Sequence, residues 1–357
     1  MRRNNILQVF SKSSWAGGEV YVFELSKRLI EDDYNLTAIT KRSKEIEPRL
    51  KESDIRYYRL PVSGVFDILS GIRLSSIIID NEIDIIHIHN FKTLFPVLYS
   101  LCFLKHRPRI VLTRHLVKRA KTNPLYNWAY KKIDRLIFVS NLAREEFFLT
   151  KPKLDYNKTA VVHNSINPPI AKPLEIRKNI EDNEIIISFA GRLSPEKGVH
   201  LLIDAIGELS QYPIRLLIAG KGDEAYYKEL EDRVRSNSLE SKVEFLGFIE
   251  SVQDLIAITD IGVVPSVWRE PFGLSIIEFM KEGVPVITTN NGAQEEFVID
   301  GQTGILIEPN SSKVIADSIR RLINNPSLRR EIGRNAKKDF EANLSYESFY
   351  KKIIANY

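Results

Sequence analysis

The chain has 357 residues, of which 43% are hydrophobic and 27% charged, a composition typical of globular proteins and unlike disordered or fibrous ones. The net charge of +5 conceals an asymmetry: 28 basic against 17 acidic residues through Ile170 give about +11, and 23 against 29 afterwards give about −6. A single cysteine, Cys102, excludes a disulfide within the chain, and its apolar neighbours predict a buried side chain.

In the first half, short β-rich runs alternate with helical patterns. Strands are predicted at Asn5–Phe10, Leu36–Thr40, Ile85–His89, Ile110–Thr113 and Leu136–Val139, and a helix at about 18–32. The apolar runs are continuous rather than alternating, which is typical of parallel strands covered on both faces. Residues 1–168 therefore predict a doubly wound α/β domain.

A second α/β series follows a proline-containing stretch, 169–184, which we interpret as a linker. Strands are predicted at Ile185–Ala190, Arg215–Ala219, Val243–Leu246, Ile261–Val264, Val284–Thr288 and Gly304–Ile307. Helices are predicted at about 199–209, 226–237 and 273–282. Residues 185–342 thus predict a second Rossmann-like domain, and 343–357 a helical tail.

The apolar runs are too short for a secretory signal or a membrane span. Ile6 to Phe10 is shorter than a signal-peptide core. The longest run, Leu94 to Leu104, has about half the length that crosses a bilayer. We therefore expect a cytoplasmic protein, and contact with the inner face of the cell membrane stays open.

A basic stretch without acidic residues lies between Asp84 and Asp134. Its basic residues include Lys105, Arg107, Arg109, Arg114, Lys118, Arg119 and Lys121. Such a field attracts phosphates, anionic lipid or nucleic acid. The aromatic segment Pro124 to Tyr130 fits a helix on an anionic membrane or an ordinary basic helix with core aromatics. A lipid-linked or phosphorylated acceptor explains the charge equally well, whereas no nucleic-acid-binding motif is present and no nucleic-acid partner is expected.

The most specific segment is Glu270-Pro-Phe-Gly-Leu-Ser-Ile-Ile-Glu278, preceded by Pro265-Ser266 at the end of a predicted strand. A helix starting near Gly273 would direct open backbone N–H groups toward a ligand. The two carboxylates suit two hydroxyl-bearing parts of one ligand. Taken alone, the two glutamates would equally fit a helix-terminal acid and a solvated helix face.

Together with its neighbours, this segment resembles retaining glycosyltransferase family four, whose fold is GT-B. The other segments that carry the resemblance are Gly17-Gly18-Glu19, Gly191-Arg192-Leu193-Ser194-Pro195-Glu196-Lys197-Gly198, Ala219-Gly220-Lys221-Gly222, Phe245-Leu246-Gly247-Phe248-Ile249, Asn291-Gly292-Ala293-Gln294-Glu295 and Asp300-Gly301-Gln302-Thr303-Gly304. The resemblance implies two Rossmann-like domains facing each other across a crevice. It places the acceptor in the first domain, the donor in the second, and the tail as a helix crossing back to the first.

The resemblance also implies roles for individual residues. Catalytic roles fall to Glu270, His115, Arg192 and Lys197. Donor binding falls to Gly17, Gly18, Gly191, Arg192, Lys197, Gly220, Phe248, Ile249, Glu270, Phe272, Gly273, Leu274 and Glu278. Two cations suit the donor diphosphate, since they offset the charge on the leaving group.

Three histidines are candidate site residues. His115 matches the family only in part, because Leu116-Val117-Lys118 follows where an acidic residue is usual, and a structural role stays open. His87 and His89 alternate along a predicted strand, but no third ligand with suitable spacing follows. No metal and no cofactor are expected.

The sequence thus predicts transfer of a hexose or N-acetylhexosamine from a nucleotide-sugar, UDP before GDP, to a glycan or lipid-linked acceptor. A role in bacterial envelope polysaccharide or lipopolysaccharide synthesis is the leading interpretation. The alternatives are a non-catalytic protein of the same fold that binds a polyanion or membrane, a sugar-nucleotide epimerase, and a phosphorylase. A dinucleotide oxidoreductase is disfavoured because the glycine fingerprint is missing.

Overall fold

The computed structural model describes residues 4–10, 15, 17–62, 64–167 and 184–357. The chain divides into an N-terminal unit, Met1–Asn164 with Glu347–Tyr357, and a C-terminal unit, Ser165–Tyr346. Apart from residue 184, the predicted linker lies outside the described residues.

The N-terminal unit contains a parallel sheet with the strand order β3-β2-β1-β4-β5-β6-β7. The strands are β1 (Asn5–Val9), β2 (Asn35–Thr40), β3 (Arg56–Arg59), β4 (Ile85–Ile88), β5 (Arg109–Arg114), β6 (Arg135–Phe138) and β7 (Thr159–Val161). The helices are α1 (Gly17–Glu31), α2 (Ile46–Glu52), α3 (Ile68–Asp80), α4 (Leu94–Ser100), α5 (Pro124–Lys131) and α6 (Asn141–Phe148). Every residue of β1 and β4 is buried, as expected of central parallel strands.

The C-terminal unit contains a second parallel sheet, with the order β10-β9-β8-β11-β12-β13. Its strands are β8 (Ile185–Ala190), β9 (Ile214–Ala219), β10 (Val243–Gly247), β11 (Ile261–Val264), β12 (Val286–Thr289) and β13 (Ile305–Ile307). The helices are α7 (Val199–Gly207), α8 (Glu224–Ser236), α9 (Val252–Ile256), α10 (Leu274–Glu282), α11 (Ser312–Asn324) and α12 (Pro326–Asp339). Strand order reverses between β8 and β11, where open α/β sheets bind ligands.

The last helix, α13 (Tyr346–Ile354), follows a π-helical turn at Phe340–Leu344. Within the N-terminal unit, Glu347 lies 3.3 Å from the guanidinium of Arg28, and Arg135 donates to Asn356 at 2.5 Å. The hydroxyl of Tyr357 lies 2.7 Å from Nδ1 of buried His87. Polar contacts therefore hold the end of the chain to the rest of the N-terminal unit.

The predicted α/β architecture is confirmed, with two differences. Strands β3 and β7 are absent from the prediction, because Arg-Tyr-Tyr-Arg is a partly exposed edge strand and β7 has only three residues. The prediction for Cys102 is wrong: its side chain is exposed. Helix α4 ends at Ser100, and the 3₁₀ turn that follows leaves Phe103 54% exposed as well. None of the helices in the described part of the chain is long and apolar enough to cross a membrane.

Candidate functional site

In the C-terminal unit, the loops that follow β8, β9 and β10 pack against one another with almost no space between their backbones. A Cβ on Gly220 would lie 1.8 Å from the carbonyl oxygen of Gly191, and one on Gly222 would lie 2.0 Å from that of Leu193. The N–H of Gly220 donates to the carbonyl of Gly247 at 2.7 Å. Glycine is required at these positions because any side chain would collide with backbone.

The loop after β8 also contacts the loop after β11. A Cβ on Gly198 would lie 2.1 Å from the carbonyl oxygen of Pro265, and the N–H of Val267 donates to the carbonyl of Glu196 at 2.9 Å. The loop after β12 is joined to the same group, since the N–H of Ala293 donates to the carbonyl of Glu270 at 2.9 Å. We call these five loops, 191–198, 220–223, 247–251, 265–273 and 290–296, the strand-end loops.

Lys197 and Glu270, which are 73 residues apart, form an ion pair on the strand-end loops. The Glu270 side chain is only 4% exposed and that of Lys197 18%. Glu270 Oε1 also accepts a hydrogen bond from the Ser266 hydroxyl at 2.6 Å, and the Lys197 ammonium lies 5.8 Å from the ring centroid of Trp268. A buried carboxylate is thus matched by a cation and a hydroxyl donor, which fixes its position.

Helix α10 begins at Leu274, directly after this ion pair. Its N-cap is Gly273, with φ 95°, and no side chain caps the helix. The left-handed conformation favours glycine, and a Cβ there would lie 2.7 Å from Ile276 Cδ1. The first N–H groups of an uncapped helix are available to an anion or a hydroxyl oxygen. Phe272, 2% exposed, packs against Phe297 with ring centroids 4.7 Å apart and anchors the approach to the helix.

Glu278 lies one turn into α10 and is partly buried. Burial raises the pKa of its carboxyl from 4.5 to about 7. Among the described residues, no hydrogen-bond or ion-pair partner of Glu278 is found. A partly buried carboxylate of this kind is stabilised when a hydroxyl of a ligand donates a hydrogen bond to it.

Three further predicted residues lie on the outer part of the strand-end loops. Arg192 is exposed and pairs with Glu196 at 3.0 Å. Phe248 is 52% exposed and is followed by half-exposed Ile249. The Lys221 ammonium lies 5.3 Å from the centroid of the Phe248 ring. This arrangement offers a cation and an exposed aromatic face to a flat ligand group.

The remaining predicted residues lie in the N-terminal unit and are described there by themselves. Gly17 and Gly18 begin α1, and a Cβ on Gly18 would meet nothing within 4 Å. Because of this open space, packing within this unit does not require glycine at position 18.

His115 follows β5, and its ring centroid lies 4.8 Å from that of Tyr21 and 5.8 Å from that of His89.

His87 and His89 lie with ring centroids 4.1 Å apart, and hydrogen bonds to protein groups engage them. His87 contacts the hydroxyls of Tyr357 and Thr113, each at 2.7 Å, and burial lowers its pKa to about 3. His89 Nε2 lies 2.8 Å from Gln8 Oε1. Across the described ranges, no three His, Cys, Asp or Glu side chains are grouped closely enough to hold a metal ion.

None of the supporting contacts around the predicted residues is indicated by the sequence. Ser266 and Trp268 contact the Lys197–Glu270 pair, and Lys221 stacks on Phe248. Gln294, fully buried, donates to Thr289 Oγ1 at 3.1 Å behind the same loops. Ser266, Lys221 and Gln294 belong to segments quoted above, but the sequence does not indicate their contacts, because each contact depends on tertiary structure.

Two family models match the chain. The model described as "Glycosyltransferase Family 4" matches residues 15–168, and the one described as "Glycosyl transferases group 1" matches residues 172–339. Both matched ranges include predicted site residues: His115 lies in the first, and Lys197, Glu270 and Glu278 lie in the second.

Curated relatives and a solved structure agree with these matches. The uncharacterized glycosyltransferase MJ1607 of Methanocaldococcus jannaschii is 30% identical over 78% of this chain and 75% of its own. The N-acetyl-alpha-D-glucosaminyl L-malate synthase of Bacillus anthracis is 25% identical over 96% and 93%. The crystal structure of Anabaena Alr3699/HepE in complex with UDP-glucose has a TM-score of 0.84 at 22% identity and covers 98% of each chain, which supports the fold alone. The chain belongs to glycosyltransferase family 4 and is a glycosyltransferase with the GT-B fold.

Proposed function

We propose that this glycosyltransferase moves a hexose or N-acetylhexosamine from a UDP-sugar to a glycan or lipid-linked acceptor with retention of anomeric configuration. The observation that carries the proposal is the arrangement on the C-terminal unit. An uncapped helix N-terminus, a buried carboxylate held by Lys197 and the unpartnered carboxyl of Glu278 all lie on α10 and the loop before it.

Each group has a role that fits its surroundings. Glu270 and the first N–H groups of α10 hold the donor sugar, while Glu278 accepts hydrogen bonds from the ribose hydroxyls. Phe248 and Ile249 contact the base. UDP is the first candidate by analogy, because the solved structure of Anabaena Alr3699/HepE, which shares this fold, contains UDP-glucose. Guanine, in a GDP-sugar, is the second candidate base, since an exposed aromatic side chain stacks on either uracil or guanine.

The bond between the anomeric carbon and the diphosphate breaks, and a bond from that carbon to the acceptor oxygen forms on the same face. The acceptor hydroxyl gives its proton to the departing diphosphate. Arg192 and Lys197 offset the negative charge that grows on the diphosphate. We propose that these two cations replace a metal ion in this role, so a chelator such as EDTA should leave the rate unchanged.

The test is an NMR panel of UDP-, GDP- and ADP-sugars incubated with the protein, in which slow donor hydrolysis and the anomer released are observed. We expect one UDP-sugar to be hydrolysed with its anomeric configuration retained, and Glu270→Gln to abolish the reaction. Glu282→Gln, at the far end of the same helix, is the matched control. Inversion of the anomer would refute the retaining mechanism, and selective use of a GDP-sugar would refute the assignment of the base.

The acceptor class is proposed from the charge of the N-terminal unit. The stretch between Asp84 and Asp134 has no acidic residue, which suits an anionic or lipid-linked acceptor such as those used in bacterial envelope polysaccharide and lipopolysaccharide synthesis. The relative from Bacillus anthracis is named for an L-malate product, which is consistent with an anionic acceptor in this family.

We further propose that α5 contacts an anionic membrane surface. Leu125 and Trp128 are 39% and 43% exposed, and Lys131 and Lys132 are exposed beside them. Exposed apolar side chains flanked by lysines favour binding at a membrane interface. Cosedimentation with anionic vesicles should fall sharply in Trp128→Ser, and equal binding to neutral vesicles would refute the proposal.

A further inference from the structure

A cavity of about 270 Å³ lies within the N-terminal unit, at the carboxyl ends of β4 and β5. Its walls come from residues 89–92 after β4, residues 113–116 and 118–121 at the end of β5 and beyond it, Tyr126 and Tyr130 of α5, and the start of α1. The volume lies below the range of about 300–1,000 Å³ for drug-sized ligands. It therefore suits a group about the size of one sugar ring rather than a nucleotide.

The lining is strongly basic. Among the described residues that line the cavity, the single carboxylate is that of buried Glu19. The basic ones are Lys92, Arg114, Lys118, Arg119 and Lys121. Arg119 pairs with Glu146 at 3.2 Å, whereas Lys92 and Lys118 have no ion-pair partner within the described ranges. The surplus of positive charge favours an anion.

Arg114 is the most buried of these cations. Its guanidinium lies 5.2 Å from the ring centroid of Phe91 and 4.9 Å from that of Phe147, and burial lowers its pKa to about 10. One of its nitrogens donates to the carbonyl of Lys118, but Nε is buried with no hydrogen-bond partner in the described part of the chain. A partly desolvated cation of this kind is stabilised by an anion in the adjoining cavity.

His89 adds a hydrogen-bond acceptor to the wall. Gln8 Nε2 donates to the Tyr357 hydroxyl at 3.0 Å, so Gln8 Oε1 accepts from His89 Nε2 at 2.8 Å. The Nε2–H tautomer leaves a lone pair on Nδ1. Burial lowers the pKa of His89 well below its usual value, so the ring stays neutral. The whole residue is only 7% exposed, and Nδ1 is buried with no partner among the described residues.

Aromatic rings complete the cavity. Phe91, Tyr126 and Tyr130 line it, and the Lys121 ammonium lies 5.0 Å from the centroid of the Tyr126 ring. Aromatic walls with a few placed polar groups are usual in small-molecule sites. In this cavity the aromatic rings form an apolar face beside the cations and the hydrogen-bond acceptor of His89.

We infer that this cavity, the basic pocket, holds an anionic sugar unit of the acceptor. Lys118, Arg119 and Arg114 bind its phosphate or carboxylate, and His89 Nδ1 accepts a hydrogen bond from one of its hydroxyls. The assignment to an acceptor rests on the proposed function, whereas the preference for an anionic sugar rests on the pocket alone.

The test measures binding of glucose 6-phosphate, glucuronate and glucose to the full chain by ligand-observed NMR, without a donor. Both anions should bind and weaken with added salt, and glucose at the same concentration should not. The double variant Lys118→Ala/Arg119→Ala should lose about thirtyfold in affinity, because two charge-assisted contacts of about 1 kcal/mol each are removed. Both side chains are exposed, so the variant should fold.

Lys105→Ala is the matched control. Lys105 is exposed and precedes the amino end of β5, whereas the basic pocket lies at the carboxyl end. Its affinity should equal that of the unmodified chain. Equal binding of glucose, or full affinity in the double variant, would overturn the inference.

Two further arms separate the possible sources and failures. Release of the protein from phosphatidylinositol vesicles by glucose 6-phosphate would assign the pocket to a lipid headgroup, and vesicle binding that glucose 6-phosphate leaves unchanged would assign it to a soluble sugar anion. Donor hydrolysis without anion binding overturns the pocket assignment and leaves the proposed function standing. Anion binding with neither donor turnover nor donor binding supports the pocket and refutes the proposed function.

Discussion

Glu278→Gln should stabilise the donor-free protein at pH 8 and change it little at pH 4.5. The pKa of the Glu278 carboxyl rises from 4.5 to about 7 because burial disfavours the charged form. The folded state therefore holds this proton more tightly than the unfolded state does. Stability from this group is fully present below pH 4.5 and is lost as the pH rises through about 7.

The size of the effect follows from the two pKa values. At 1.36 kcal/mol per unit, the shift corresponds to about 3 kcal/mol, and the partly exposed surface of Glu278 reduces this to about 2 kcal/mol. Replacing the carboxyl by a neutral amide removes that penalty only where the carboxyl ionises. For a unit of this size, Tm should rise by about 4–8 °C at pH 8.

Thermal unfolding of Glu278→Gln and the unmodified chain at pH 4.5 and pH 8 gives the answer. Glu282→Gln is the control, because Glu282 lies on the same helix and its side chain is 35% exposed, 3.7 Å from Lys281. It should shift Tm by the same small amount at both pH values. A shift in Glu278→Gln that does not depend on pH would refute the reasoning, since only ionisation of residue 278 produces the difference.

Three other substitutions test separate parts of the structure. Lys197→Ala should slow donor turnover by about 100-fold or more, measured as initial rates, because a charge-stabilising group is lost; Lys228→Ala on α8 is the control, and a near-normal rate would exclude the role. Gly220→Ala should lower the free energy of unfolding by about 3 kcal/mol through collision with backbone, whereas Gly18→Ala, with open space around it, should change it by no more than about 1 kcal/mol. Tyr357→Phe should cost about 1–3 kcal/mol in chemical denaturation, because buried partners lose their hydrogen bonds, and a cost below about 0.5 kcal/mol would contradict this.

The strand–loop–helix segment around Gly273 was predictable from sequence because its signals are local. Apolar runs mark β11 and the buried face of α10, and the glycine marks the turn between them. The Lys197–Glu270 pair was not predictable as a pair, since 73 residues separate its members and only the packing of two loops brings them together. The sequence identified both residues but not their contact.

Elsewhere the local signals failed for physical reasons. Strand β3 contains two arginines and has no apolar run that would predict a strand. Its strand conformation comes from parallel pairing with β2. The apolar run through Cys102 predicted burial, but the chain leaves the core after Ser100. The free lone pair of His89 depends on which way the Gln8 amide faces, which no spacing along the chain records.

The glycines of the strand-end loops also limit which changes the proposed donor site can accept. Because the backbones of Gly220 and Gly191 leave no room for a methyl group, an insertion or a larger residue in one loop would displace its neighbours. We therefore expect the backbone beneath the proposed donor site to tolerate little change. We expect donor preference to change instead through exposed side chains such as Phe248, which is 52% exposed.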